Sequence, residues 1–539
     1  MSERSESEDL LGEEGSNTLL ESLSTVEERA TEDRVGATAS AMRHLAGALG
    51  VLLLLAGVPY AIAPLASANM ERFKAWVPGE GVPIARMFLA EQPVEGGMAV
   101  ATGGAVSRRT ARGDEALAEQ LGDAVAANLA EAPEPPSERE PESSAETGPS
   151  VRIAPSELEG LVRELEDPGG RAMRPFYEAL LRTAERQDGA ITRIAHYGDS
   201  SIAGDGITST ARRRFQQRFG DAGHGFILIS RGSMPYRHTD VDHSASGQWR
   251  LIELVRAGLR DHLYGYGGVQ YRSMAGGRAE FGTSDRGPVG GRVSRFELWY
   301  QAHPRGGNLD LRVDDGERQV VSTRGEQTTD GWHEVRVPDG AHELELRTLG
   351  GGESRLYGMV LERDGPGVVY DSLGMVGARA RRMLGYDEAH FRRQHAHRDT
   401  NLIVLGFGGN DADDPRTPEQ FEDDFRRVAR MVRRARPEAA CLLMAPLDQA
   451  RRSERGAIET LEPVPIIVEA MRRAARAEGC AFFDTFTAMG GEGAMRAWFR
   501  TEPRLAFGDF RHATPAGYRV IGNMLYKALL KGFADYLER

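Results

Sequence analysis

Residues 191–200 read Ile-Thr-Arg-Ile-Ala-His-Tyr-Gly-Asp-Ser, a β-prone run that ends in a serine. A helix is predicted soon after it, because apolar residues recur at four-residue spacing until a glycine: Ile207, Ala211, Phe215, Phe219 and Gly220. A strand that leads directly into a helix is the repeating unit of α/β folds, which bind ligands at the carboxyl ends of their strands. The stretch therefore places Ser200 at the functional edge of a parallel sheet.

Further strands and helices alternate toward the C-terminus. Continuous apolar runs predict strands buried on both faces at 402–405, 441–444 and 480–483. The segment Thr417-Pro418-Glu419-Gln420 predicts a helix start with a capping box, and Ser156 with Glu159 predicts another at the beginning of the domain. We expect a three-layer α/β/α domain formed by residues 151–232 and 366–539.

Between these two parts, residues 233–365 change to a period of two. The alternating positions are Phe296/Leu298/Tyr300, Leu309/Leu311/Val313, Val335/Val337 and Leu344/Leu346. Short alternating runs separated by Gly- and Asp-rich turns are typical of antiparallel sandwiches. The segment therefore predicts an all-β module inserted into the α/β domain, with a set of elaborate loops as the weaker alternative.

The N-terminal part divides into three segments by composition. Residues 1–44 are acidic and poor in large apolar residues, which predicts a disordered tail. Residues 45–68 carry no charge and are long enough to span a bilayer, which predicts a transmembrane anchor. A cleaved signal that ends at Ala66-Ser67-Ala68 and a buried helix are the alternatives.

Residues 69–150 contain a Pro- and Glu-rich stretch that favours a flexible, solvated linker. A small helical subdomain within residues 84–130 is the alternative to a continuous linker. A coil of this length has a mean reach on the order of 50 Å. The α/β domain would then stand well clear of a membrane.

Composition excludes several classes of protein. The 539-residue chain has a net charge of -13 and no basic block with interleaved aromatics, which argues against a nucleic-acid partner. Two cysteines exclude a disulfide scaffold and give no zinc pattern. Cys441 and Cys480 each lie at the start of a predicted strand. The sequence leaves open whether they form a disulfide or stay a pair of buried thiols.

The segment Asp509-Phe510-Arg511-His512 supplies a carboxylate and an imidazole on one predicted loop. Serine is a poor nucleophile until a base takes its proton, and that base needs a carboxylate to orient it. Ser200, His512 and Asp509 are therefore candidates for a catalytic triad. Gly377 and Asn410 follow two other predicted strands and should reach the same edge of the sheet.

These motifs together resemble the SGNH, or GDSL, hydrolases. The matching blocks are Gly198-Asp199-Ser200, Gly377, Gly408-Gly409-Asn410-Asp411 and Asp509-x-x-His512. Further segments resemble the bacterial peptidoglycan O-acetylesterases, in which a β-sandwich also separates the first two blocks. These segments are Pro175-Phe176-Tyr177-x-x-Leu180, residues 196–205, residues 219–225 and Met489-Gly-Gly…Met495-x-x-Trp498. One departure is Ser201, where many relatives have histidine.

The resemblance implies a role for each candidate residue. Ser200 would attack an ester carbonyl, His512 would move its proton and Asp509 would hold the imidazole. The backbone N–H groups of Ser200 and Gly377 and the side-chain amide of Asn410 would form the oxyanion hole, with Gly374 as the alternative to Gly377. No cofactor is implied.

The function expected from this resemblance is removal of O-acetyl groups from a cell-envelope polysaccharide, peptidoglycan first. An O-acetyltransferase that uses the same triad and a non-catalytic glycan-binding protein are the alternatives. The expected location is the bacterial inner membrane, crossed once, with the catalytic domain in the periplasm or envelope. Trp299, Tyr300 or Trp332 could stack on sugar rings.

Two polar clusters have simpler interpretations than metal binding. His395 and His397 lack a third ligand, so a solvated loop is expected there. Asp411, Asp413 and Asp414 lack the glycine and the terminal glutamate of a calcium loop. No metal is therefore expected at either cluster.

Overall fold

The computed structural model describes residues 128–129, 151–231 and 236–539. In these ranges the helices are α1 Arg174–Ala184, α2 Ser200–Ala203, α3 Gly206–Phe219, α4 Glu388–Arg398, α5 Pro418–Ala435, α6 Pro463–Glu478, α7 Thr485–Ala488, α8 Ala494–Phe499 and α9 Pro515–Leu537.

The strands of the same ranges are β1 Ile191–Gly198, β2 Gly223–Ile227, β3 Val241–Ser246, β4 Arg250–Glu253, β5 Val269–Ser273, β6 Arg278–Thr283, β7 Val293–Ala302, β8 Asn308–Val313, β9 Gln319–Ser322, β10 Thr329–Gly340, β11 Glu343–Gly350, β12 Ser354–Glu362, β13 Gly367–Gly374, β14 Leu402–Gly406, β15 Ala440–Met444, β16 Ala450–Arg452, β17 Ile458–Thr460 and β18 Ala481–Phe483.

The parallel sheet has the strand order β13-β1-β14-β15-β18. Successive residues along its strands point to opposite faces, so Leu402 and Val404 join one buried cluster while Ile403 and Leu405 join the other. Helices α1, α3 and α9 contribute to the first cluster, and α4, α5 and α6 contribute to the second. Helices therefore cover both faces, as the continuous apolar strands predict, and the SGNH-like α/β fold is confirmed.

The two helix starts predicted from capping boxes have different outcomes in the structure. Thr417 and Gln420 form the predicted capping box at the start of α5. The predicted helix at Ser156 and Glu159 is wrong, because only a short 3₁₀ turn, Pro155–Leu158, forms there. Gly160 follows with φ +76°, a left-handed conformation that a helix cannot continue through.

Two antiparallel sheets lie between β1 and β13 in the chain. One has the order β10-β7-β12-β5-β4 with β2 paired to β12, and the other has the order β3-β6-β11-β8-β9. Their inward residues belong to one buried cluster, which includes Phe296, Leu298, Leu311, Leu344 and Leu346. Because β2 begins at Gly223, the first strand of these sheets lies before the predicted start at residue 233.

The N-terminal predictions fall almost entirely outside the described residues. The acidic tail 1–44 and the apolar segment 45–68 lie outside them, as does most of 69–150. In the part of the chain that the structure describes, no helix is long and apolar enough to cross a membrane. Asn128 and Leu129 are described and helical, and Asn128 is buried.

Asn128 is fixed by two hydrogen bonds. Its side chain donates to Gly160 O at 2.9 Å, and Asn523 Nδ2 donates to its backbone oxygen at 2.6 Å. A flexible linker does not describe these two residues, because buried polar groups with partners on the folded domain are held in place. These two residues are therefore held against the folded domain, and the rest of 69–150 lies outside the described residues.

Cys441 and Cys480 form a disulfide, with their Cα atoms 4.8 Å apart. Cys441 lies in β15 and Cys480 directly precedes β18, and these two strands are neighbours in the parallel sheet. Of the two possibilities that the sequence left open, the structure shows the bonded one.

A buried ion network joins the parallel sheet to the antiparallel sheets. Arg398, at the end of α4, donates to both carboxylate oxygens of Asp371 on β13 at 2.9 Å and also pairs with Glu362 on β12. Glu362 is fully buried and also pairs with Arg193 of β1 and Arg295 of β7. Although burial alone would raise the pKa of Glu362, these arginines hold it well below its usual range.

Replacing Arg398 with methionine should destabilise the whole domain. Removing one partner of a buried ion pair leaves the others uncompensated, which costs about 3–5 kcal/mol of the free energy of unfolding. Denaturant unfolding measures this, with exposed Arg392→Met on the same helix as the control, expected within about 0.5 kcal/mol of the parent. Equal stability of the two variants would contradict the role given to the network.

Candidate active site

A row of three glycines at the carboxyl edge of the parallel sheet positions Ser200. Gly198 of β1 pairs in register with Gly374 of β13 and with Gly406 of β14. A Cβ on Gly374 would lie 2.1 Å from Ala203 N, and one on Gly198 would lie 2.3 Å from an Ile202 side-chain carbon. Helix α2 therefore sits directly on this row, because no side chain lies between.

Ser200 is the first residue of α2. Asp199 caps this helix, since its Oδ1 accepts from Ser201 N at 2.9 Å. Asp199 is itself buried, and burial raises the pKa of its carboxyl group. The cap fixes the turn that presents Ser200 beyond the end of β1.

The three predicted triad residues come together. Ser200 Oγ lies 3.0 Å from His512 Nε2, and His512 Nδ1 lies 2.7 Å from Asp509 Oδ2. The other carboxylate oxygen of Asp509 accepts from the backbone N–H groups of Arg511 and His512 at 3.0 and 3.1 Å. A serine, a base and an orienting carboxylate in this order can activate a hydroxyl for attack on an ester.

The pKa shifts of His512 and Asp509 are those expected of a base and the carboxylate that orients it. The hydrogen bond that His512 donates to Asp509 raises the pKa of His512 above its ordinary value, which makes the imidazole a stronger base. Burial tends to raise the pKa of Asp509, but the bonds from His512 and the backbone lower it overall, so the carboxylate stays charged. The side chains of His512 and Asp509 are 41% and 49% exposed, so water reaches the site.

The two other predicted groups lie on neighbouring loops. Asn410 follows β14, and its side-chain Nδ2 donates to Ala378 O at 3.3 Å. Ala378 directly follows Gly377, which has φ +76° and open space where a Cβ would be. Gly374, the alternative, belongs to β13 and packs under α2. Gly377 and Asn410 therefore lie in one cluster of neighbouring loops. Gly374 instead allows α2 to pack closely on β13.

Asp411 also holds this loop cluster in place, a role that the sequence did not suggest. Its Oδ2 accepts from Ala380 N at 3.4 Å, so Asn410 and Asp411 both bind the segment after Gly377. Asp411 is buried, which raises the pKa of its carboxyl group to about 7. The only signal in the sequence was its position next to Asn410.

Arg511 and Phe507 extend the site beyond the predicted residues. Arg511 donates to both carboxylate oxygens of Asp413 at 2.7 and 2.8 Å, which links the triad loop to the Asn410 loop. Phe507 is 48% exposed, and its backbone N–H donates to His512 O at 2.9 Å. Phe507 therefore lies across from His512 on the same turn, a placement that only the fold reveals.

The remaining sequence candidates lie elsewhere in the fold. His395 and His397 are on α4, not in a solvated loop, and His395 is fully buried. The sequence did not reveal this helix, because α4 lacks a clear apolar pattern. In the described ranges no group of three His, Cys, Asp or Glu side chains is arranged to hold a metal ion.

The aromatic candidates for sugar stacking are packed against protein. Trp299 is 1% exposed and therefore part of the core. Trp332 stacks on the His397 imidazole with ring centroids 3.9 Å apart, and Tyr300 packs against the main buried cluster. Trp299 is thus excluded as a sugar contact. Ser201, the departure from the usual motif, donates its backbone N–H to the capping carboxylate of Asp199.

Part of the chain is similar to a known family of acylhydrolases. Residues 328–520 match the model of the GDSL-like lipase/acylhydrolase family, a range that contains Asn410, Asp509 and His512 but not Ser200. No curated protein matches the sequence.

Several solved structures are similar. One is a peptidoglycan O-acetylesterase, with a TM-score of 0.58 and 24% identity over 69% of this chain and 99% of that chain. Another is a family two carbohydrate esterase from Cellvibrio japonicus, with a TM-score of 0.21 and 12% identity over 55% of this chain and 99% of that chain. The resemblance to SGNH/GDSL hydrolases is confirmed.

The rate of ester hydrolysis should fall as pH drops through the pKa of His512. A protonated imidazole cannot accept the serine proton, and Asp509 raises this pKa, so the acid limb of kcat/KM should have its midpoint above 6.5. Asp509→Asn should move the limb to lower pH and reduce kcat on the order of 10⁴-fold. Profiles with 4-nitrophenyl acetate test this, and an unshifted limb in the variant would contradict it.

Proposed function

We propose that the protein is a carboxylic ester hydrolase that removes O-acetyl groups from a cell-envelope polysaccharide, and specifically from peptidoglycan. The match of residues 328–520 to the GDSL-like lipase/acylhydrolase family supports the ester chemistry. The observation that carries the proposal is the Ser200–His512–Asp509 array at the open edge of the parallel sheet.

The proposed reaction has two halves. Ser200 Oγ attacks the acetyl carbonyl carbon while His512 Nε2 takes its proton, which gives a tetrahedral oxyanion. The oxyanion collapses as His512 protonates the departing sugar hydroxyl, and an acetyl-serine remains. Water then repeats the sequence, with His512 as base, and releases acetate. Asp509 keeps the imidazole in the correct tautomer and stabilises its charged form.

The proposed oxyanion donors are the backbone N–H groups of Ser200 and Gly377 and the side-chain amide of Asn410. All three groups follow the ends of strands β1, β13 and β14, which are adjacent in the sheet. Donors that are held in place before the reaction stabilise the developing charge without reorganisation. Asp411 positions this cluster through Ala380 N.

Support for a glycan substrate comes from the fold and from the rim of the site. One similar solved structure, which covers 69% of this chain, is a peptidoglycan O-acetylesterase. Phe507, whose backbone N–H donates to His512 O, has an exposed side chain, and aromatic rings can pack against the apolar face of a sugar. The inserted sandwich is proposed to bind glycan as well, through a surface other than Trp299.

The proposed location is the cell envelope. Residues 45–68 would anchor the chain once in the inner membrane, and the catalytic domain would lie in the periplasm. The Cys441–Cys480 disulfide supports an oxidising compartment, where such bonds persist.

Hydrolysis is favoured over acetyl transfer because the triad is open to water on the side of His512 and Asp509. A transferase would use the same residues but pass the acetyl group to a sugar hydroxyl. Incubation with an acetyl donor and glycan acceptors separates the two, since free acetate without acetylated acceptor indicates the esterase.

Ser200→Ala should abolish acetate release from O-acetylated peptidoglycan, because no other group supplies the nucleophile. Asn410→Ala should lose about 100- to 1000-fold in kcat, the usual effect of removing one oxyanion donor. Acetate release measures both, and acetylated xylan assayed beside peptidoglycan tests the choice of polymer. Full activity of the Ser200 variant would refute the proposal, and Ser201→Ala is the matched control.

A further inference from the structure

A residue between the triad carboxylate and the imidazole has an unusual backbone conformation. Phe510 has φ +55°, in the left-handed region that glycine reaches freely and bulky side chains rarely adopt. A residue persists in this region only where its surroundings hold it there, and such residues are common at active sites. The contacts that hold Phe510 therefore bear on the geometry of Asp509 and His512.

Phe510 belongs to the triad loop, residues 506–513, which is closed by its own backbone. Ala506 and Ala513 pair as an antiparallel bridge at its base, and Phe507 N donates to His512 O at 2.9 Å. Phe510 N donates to Phe507 O at 3.1 Å. The chain reverses within this loop, so the triad carboxylate, which precedes the imidazole by three residues, folds back onto it.

Strand β16 holds the backbone of Phe510 from outside the loop. Ala450 N donates to Phe510 O at 2.9 Å. Ala450 pairs with Thr460 of β17. The neighbouring bond between these strands runs from Leu461 N to Gln449 O at 2.7 Å. Because hydrogen-bonded and non-bonded pairs alternate along antiparallel strands, Ala450 directs its N–H away from β17 and toward the triad loop.

The side chain of Phe510 is anchored as well. It is 5% exposed and packs edge-to-face on Phe499, with ring centroids 5.1 Å apart. The Arg452 guanidinium lies over the same ring, 5.6 Å from its centroid. Aromatic pairs and a cation over a ring are both attractive contacts, and Arg452 belongs to β16. One strand therefore contacts both the backbone and the ring of Phe510.

Asp448 fixes the base of β16 to the folded domain. Its side chain is fully buried, its Oδ1 accepts from Thr460 Oγ1 at 2.8 Å, and its Oδ2 accepts from Met495 N at 2.8 Å. A buried carboxylate with a partner on each oxygen is held in place. Asp448 lies shortly after the end of β15, so the contacts run from the parallel sheet to the triad loop.

We infer that Phe510 is a positioning residue for the catalytic triad and that β16 holds it through Ala450 and Arg452. The inference rests on the proposed function, because it concerns the same three reacting side chains. Phe510 acts through Asp509 and His512 and not on the substrate, since the loop that it shapes sets the distance from Asp509 Oδ2 to His512 Nδ1. A freer loop would hold the imidazole in its productive orientation for a smaller share of the time.

The basicity of His512 reports on this geometry. The hydrogen bond to Asp509 is the main reason that the pKa of His512 is raised; the charge of Asp199 adds to it, while burial and Arg511 oppose it. A weaker bond to Asp509 would lower that pKa toward its ordinary value. The acid limb of a reaction that needs the neutral imidazole would then move to lower pH.

The rate at which a fluorophosphonate labels Ser200 in the full chain, measured across pH, tests the inference. Ala450→Pro removes the N–H donor, and Phe510→Ala removes the ring while β16 keeps its sequence. Each should lower the labelling rate constant and the kcat for 4-nitrophenyl acetate about 10- to 100-fold, because small misplacements of catalytic groups have effects of this size. The acid limb should move to lower pH, and KM should change little, because no contact to the substrate is removed.

Ala457→Pro is the matched control. Ala457 lies on the exposed turn between β16 and β17, where its carbonyl accepts from Ser453 N at 2.7 Å. A proline there changes the same hairpin away from Phe510, so the rate constant and the acid limb should equal those of the parent.

The final extent of labelling separates positioning from folding. Loss of positioning lowers the rate constant, but nearly every molecule is labelled in the end. Incomplete labelling at the parent's rate constant and acid limb would show that Phe510 only supports folding, which overturns the inference. Parent-like rates in both variants, or a change in KM alone, would overturn it too.

Acetate release from O-acetylated peptidoglycan separates this inference from the proposed function, because labelling needs the triad but no glycan. Slower labelling of the two variants, without acetate release by the parent, overturns the esterase proposal on that polymer and leaves the positioning role in place. Parent-like labelling of the variants, with normal acetate release, overturns the inference alone.

Discussion

The close contact between α2 and the edge of the parallel sheet is the constraint on which the site depends. Gly198, Gly374 and Gly406 align across three neighbouring strands. A Cβ on Gly374 would clash with the backbone of α2, so this helix could not pack in its present position. Ser200 is the first residue of α2, and its distance to His512 therefore depends on that contact.

From this edge the other groups follow by topology. Parallel strands end on one side of the sheet, so the loops after β13 and β14 bring Gly377 and Asn410 to the side where Ser200 lies. His512 and Asp509 arrive from the segment before α9, and Arg511 joins that segment to Asp413. The buried ion network around Glu362 holds the antiparallel sheets against the same domain.

The sequence predicts the parts of this fold that local patterns encode. Continuous apolar runs identified β14, β15 and β18, and the capping box identified the start of α5, because burial and capping leave direct signals. The triad was predictable since its residues sit in short recognisable motifs. The helix expected at Ser156 failed because Gly160, which ends the turn, outweighs the capping signal.

Other features could not be read from the chain because they arise from contacts distant in sequence. Burial of His395 depends on packing of α4 against Tyr197 and Tyr266, and α4 itself has no clear apolar stripe. Asp411 looks like a turn residue until Ala380 N is found beside it.

The most direct test of the account is the site of covalent labelling by a serine-reactive fluorophosphonate. Mass spectrometry of the digested protein should find one adduct, on Ser200, and none after His512→Ala removes the base. Labelling of Ser201 instead, or equal labelling of Ser200 without the imidazole, would contradict the claim that these three side chains work as one catalytic unit.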